Sequence, residues 1–155
     1  MVRLAQSAGR RLGLLGAGLL AVGCFWINWG IGLLGDPRYG TVRGAAALTS
    51  IAPMCVWAWA WIGSGLLSCA AAVLPNRRDW MGLIPATGIP IIWAFAYCSA
   101  RALGEFPQGV TNGLTWLVGP TLLVILTIAV RRYVSLLREV AQLRRTAART
   151  AREGA

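Results

Sequence analysis

The chain has 155 residues, of which 57% are hydrophobic and 13% charged, against roughly 25% charged residues in an ordinary soluble domain. Its mean hydropathy of +0.61 excludes water as the neighbour of most of its length. The formal charge of +10 with no histidine excludes imidazole chemistry and needs an explanation of its own.

Four uncharged or nearly uncharged runs follow one another, at 12–34, 51–74, 81–103 and 110–130. A helix needs roughly 20 residues to cross about 30 Å of hydrocarbon, and each run meets that length. A barrel strand would need only about 10 residues alternating with polar lumen positions, which these runs lack. The expected fold is therefore an all-α membrane protein in which four transmembrane helices with short loops fill residues 1–130. Residues 131–155 form an arginine-rich tail helix.

The first run follows "MVRLAQSAGRR", the basic head of a secretory signal, and "LAVGC" ending at Cys24 loosely resembles a lipoprotein cleavage box. The run continues apolar through "FWINWGIGLL", so an uncleaved first span is expected. In its N-terminal half Gly13, Ala17 and Ala21 recur every four residues, with Asn28 further along nearly the same face.

The second run contains "VWAWAWIGSG", whose tryptophans alternate as on a β-strand. Inside an uncharged 24-residue run the alternation is incidental to a helix, where Trp57 and Trp61 share a face and Trp59 points away. Toward its end Ala60, Ser64, Ser68 and Ala72 repeat the four-residue spacing. Small residues so spaced let helix backbones approach closely, so spans one and two are expected to pack tightly as an antiparallel pair.

Pro53, opening the second run, and Pro85, near the start of the third, are expected in first turns, where a missing N–H costs little. Pro90 and Gly119-Pro120 fall mid-span, where kinks are expected. Trp26, Trp29, Trp57, Trp59 and Trp116 lie in one half of the spans and Trp61 and Trp93 near the middle, which predicts a bundle bulky at one end and narrow at the other.

The tail "RRYVSLLREVAQLRRTAARTAREGA" places Tyr133, Leu136, Val140, Leu143, Ala147 and Thr150 at three-four spacing. Arg131, Arg132, Arg138, Arg144, Arg145, Arg149 and Arg152 occupy the other faces. Three partners fit such a helix: anionic lipid headgroups, which attract each arginine by roughly 1 kcal/mol, other copies of the tail, or nucleic acid. The absence of aromatic residues interleaved among the arginines argues against nucleic acid.

All fifteen basic residues are arginine, twelve flanking one side of the spans and Arg38, Arg43 and Arg101 the other. The positive-inside rule places both termini in the cytoplasm, and this asymmetry accounts for most of the net charge. The acids Asp36, Asp79, Glu105, Glu139 and Glu153 all lie outside the runs. An ion-coupled transporter keeps ionisable groups inside the membrane, so that class is disfavoured. Cys24, Cys55, Cys69 and Cys98 share no metal-ligand spacing, and no phosphate loop, nucleophile elbow or metal motif is present. No cofactor and no catalytic constellation are expected.

Four short-looped spans, "IAPMCVWAWAWIGSGLLSCAAAVLP", a tryptophan-rich body and an arginine-rich tail resemble the small membrane proteins encoded by phages of actinobacteria, some of them holin-like. The resemblance is one of layout and composition. It implies a small non-enzymatic protein of the bacterial inner membrane that oligomerises and permeabilises the bilayer. The alternative is a membrane scaffold or accessory protein, of the plasmid-spread or superinfection-exclusion kind, that recruits a protein partner through its basic tail.

Overall fold

The computed structural model describes the backbone of residues 2–35, 39–73 and 79–153, and the side chains of 13–35, 41–73, 81–147 and 150. Among the described residues the chain is helical with no strand: α1 Val2–Gly35, α2 Tyr39–Gly44, α3 Ala46–Thr49, α4 Met54–Val73, α5 Asp79–Ala102 and α6 Gly109–Glu153. Four helices are long and apolar enough to cross a membrane, in the segments Gly13–Gly35, Met54–Val73, Met81–Ala102 and Gly109–Ala147. The chain is thus a multi-pass, all-α membrane protein.

Gly13 interrupts α1 with a φ of 59° and a ψ of 175°, a conformation that glycine adopts without a Cβ penalty. A second glycine ends α5. Gly104 has φ 77°, and the N–H groups of Glu105 and Phe106 close on the Ala100 carbonyl at 2.9 and 3.1 Å, in the manner of a glycine C-cap. The turn returns the chain as α6, whose Gly113 packs against the Ala94 carbonyl of α5.

The most extensive pairings are α1 with α4, α5 with α6 and α4 with α5. The α1–α4 pair is antiparallel and close. A Cβ added to Gly30 would lie 2.7 Å from the Ala58 carbonyl oxygen, and one on Gly23 would lie 2.7 Å from that of Gly65. Along α1 the buried residues are Leu15 together with Gly16, Leu19, Gly23, Trp26, Gly30 and Leu33, the latter six forming two interleaved series of seven-residue period. A seven-residue period keeps one stripe facing a neighbouring helix.

The small-residue rows read from the sequence are placed otherwise. Gly13, Ala17 and Ala21 are exposed, as is Asn28. On α4, Ala60 is half-buried while Ser64, Ser68 and Ala72 are buried, but the serines turn to α5. Ser64 donates to the Pro85 carbonyl at 2.6 Å, and Ser68 donates to Ser64 at 2.8 Å and leans toward Gly82 at 3.4 Å. The physical reason is angular drift: four residues turn a helix by about 400°, so a strict four-residue row slides about 40° off its partner at each step.

The core divides into two clusters. At the end carrying α2 and α3, the indoles of Trp26, Trp61 and Trp93 join Leu33, Leu48 and Tyr97. At the opposite end Leu15, Leu19, Ala72, Ala86 and Leu123 make a smaller aliphatic cluster. Trp57 and Trp61 face inward while Trp59 is 63% exposed, as expected of a helix. The connection between spans one and two is more ordered than its length suggests. Thr41, Ala45 and Leu48 of the α2–α3 segment are buried, and Trp57 fixes it by donating to the Leu48 carbonyl at 2.9 Å. Pro85 does not sit in a first turn, since α5 starts at Asp79 and encloses both Pro85 and Pro90.

Candidate functional site

Two features stand out, a tryptophan core with a lateral cleft and the extension of α6. The core is built around Trp116 of α6. Its ring centroid lies 4.8 Å from that of Trp29, 5.4 Å from Trp61, 6.3 Å from Trp26 and 6.5 Å from Trp93. Trp26 and Trp61 meet at 4.6 Å with their planes tilted by 51°, and Trp61 meets Trp93 edge-on at 5.5 Å. Aromatic pairs in this range add about 0.5–1.5 kcal/mol each beyond burial. All four spanning helices contribute a ring, so the cluster fixes their mutual positions.

The indole N–H groups divide into two kinds. Trp26 donates to Ala86 and Trp57 to Leu48. Those of Trp29, Trp61 and Trp93 are buried without a hydrogen-bond partner. Trp29 with Trp116, and Trp61 with Trp93, are edge-on pairs.

Beside the cluster, α1 and α6 diverge and leave a cleft of about 620 Å³. Phe25, Trp26 and Trp29 form one wall and Trp116, Val118 and Gly119 the other, with Ala21 at its edge. Its walls are almost wholly apolar, so it offers shape and π surface and no general acid, base or nucleophile.

The second feature is α6, a single 45-residue helix. The tail therefore continues the fourth span along one axis instead of forming a separate helix. Every side chain from Arg131 to Ala147 is exposed, including Arg131, Arg132, Arg138, Arg144 and Arg145. Arg149 and Arg152 lie outside the described side chains. Tyr133, Leu136, Val140 and Leu143 are 47–64% exposed, an uncovered apolar stripe on a charged helix.

Among the described residues no three histidine, cysteine or acidic groups gather as metal ligands, and Cys24, Cys55, Cys69 and Cys98 are thiols. The charged groups Arg43, Arg101 and Glu105 are exposed at the α2–α3 end. Gly23 and Gly30, seven residues apart in the sequence, mark the close helix contact better than the alanine rows. No family model matches the chain, and no curated protein or solved structure is significantly similar to it.

Proposed function

We propose that the protein is a non-enzymatic scaffold of a bacterial inner membrane, with both termini in the cytoplasm, that holds its basic α6 extension out from the bilayer for a partner. The observation that carries this reading is the division of the molecule into a closed aromatic bundle and a long exposed basic helix continuous with it. The twelve-to-three arginine distribution supports the orientation.

Perforation in the manner of a holin finds less support. The hydroxyls of Ser64, Ser68, Thr87, Ser99 and Thr127 are bonded to carbonyls within the bundle. Leu14, Phe25, Ile31, Leu67, Phe95 and Leu122 dominate the outward surface. Asn28 adds one exposed amide to that surface, far short of the continuous polar wall that a water-filled pore between copies requires.

Inducible expression in a bacterium, followed with a potential-sensitive dye, tests the choice. The scaffold reading expects abundant inserted protein with membrane potential and growth retained. An abrupt loss of potential after a delay, without any added lytic enzyme, would overturn it in favour of the holin.

A further inference from the structure

We infer that the α6 extension pairs with a second copy of itself as a parallel two-stranded coiled coil, leaving its arginine ridge outward. The inference rests on the reading that this extension lies outside the bilayer, and it names what covers the apolar stripe.

The first argument is continuity. A helix that lies along a membrane surface must leave the axis of the span that precedes it. Residues 121–153 contain neither glycine nor proline, and α6 runs through the boundary as one helix. Tyr133, Leu136, Val140 and Leu143 are therefore carried away from the lipid, and water is an unfavourable neighbour for such a stripe.

The second argument is register. Tyr133, Leu136, Val140, Leu143, Ala147 and Thr150 are separated by three, four, three, four and three residues, the a and d positions of a heptad. Arg131, Arg138, Arg145 and Arg152 are then spaced by seven and all fall at f, the position farthest from the seam. Arg132 at g and Arg144 at e flank the stripe and Arg149 falls at c, so most of the cations lie away from the seam. Val140 at a with Leu136 and Leu143 at d is the combination that favours two parallel strands.

The third argument is charge complementarity. Glu139 has Leu136, Gln142, Ser135 and Leu143 at the three- and four-residue spacings where a helix pairs its own charges, and none is basic. In a parallel pair its g position lies beside the e position of the next heptad in the other copy, which is Arg144. Two symmetric Glu139–Arg144 pairs form in that register. Copies inserted with one topology present their tails parallel and at one level, which removes most of the orientational cost of association.

The test uses the full chain in native membranes. Leu136→Cys, Leu143→Cys, Arg138→Cys and Arg145→Cys are compared under a water-soluble cross-linker, with the parent chain as background because its own cysteines lie in the spans. Cysteines at 136 and 143 should give at least fivefold more covalent dimer than those at 138 and 145. Adding Glu139→Arg to Leu136→Cys should cut the yield severalfold, and adding Arg144→Glu as well should restore it. Equal yield at all four positions, or no restoration by the double exchange, would overturn the coiled coil. Labelling of the same cysteines with a water-soluble maleimide separates the two readings. Cysteines at 138 and 145 that label, with no cross-linking preference at 136 and 143, overturn the pairing and leave the displayed tail standing, whereas unlabelled cysteines at 138 and 145 overturn both.

Discussion

Trp26 of α1 donates its indole N–H to the Ala86 carbonyl of α5 at 3.0 Å, and Ala86 is the residue whose carbonyl Pro90 deprives of its helical donor. A proline inside a helix removes the bond from residue i to i−4, and in an apolar medium the orphaned carbonyl has no water to turn to. A side chain sixty residues distant in the chain fills the gap.

Trp26→Phe keeps most of the ring bulk and removes the donor. We expect it to destabilise the bundle by about 1–2 kcal/mol, the cost of leaving a buried carbonyl unpaired, read as a lower midpoint of thermal unfolding in detergent. Trp59→Phe, at a 63% exposed position, should change the midpoint little. Pro90→Ala restores a backbone donor to Ala86, so Trp26→Phe should cost measurably less in that background. Equal costs in both backgrounds would show that the bond contributes nothing through the proline.

Gly30→Ala and Gly65→Ala each force a Cβ against the backbone of the facing helix. Clashes of that kind cost about 1–3 kcal/mol, enough to lower the unfolding midpoint clearly. Gly32→Ala meets nothing within 4 Å and should be neutral or slightly stabilising, since alanine favours a helix over glycine. Ala17→Leu, on an exposed face of α1, should also be tolerated.

The four spans are legible in the sequence because length and lack of charge alone decide them. The inward face of α4 is legible too, as the 100° step separates Trp59 from Trp57 and Trp61. What the sequence hides is pairwise. Gly23 and Gly30 become recognisable as contact residues only against Gly65 and Ala58, and the rows of Ala17, Ser64 and their neighbours show that small size without the partner's register misplaces the contact. The α2–α3 segment is likewise invisible in isolation, because six- and four-residue helices are marginal by themselves and persist here through burial against α5 and the Trp57 bond.

Reporter fusions test the orientation. Fusions after Arg43 and after Gly109 should report the periplasmic or extracellular side, and fusions after Arg78 and at Ala155 the cytoplasm. The expectation comes from the arginine asymmetry. A cytoplasmic signal after Arg43 would invert the placement of the tryptophan cluster relative to the two sides of the membrane.

Because α6 is one unbroken rod with Pro120 as its proline, it has the mechanics of a lever with unequal arms. About 50 Å of helix lies beyond Pro120 and about 17 Å before it, at 1.5 Å per residue. A sideways load on the far tip therefore enters the bundle as a bending moment set mostly by the long segment. Trp116 rides on that short arm against indoles from α1, α4 and α5. Whatever grips the tail therefore also pulls on the aromatic contacts that tie α6 to the bundle, and the stiffness of those contacts resists the pull.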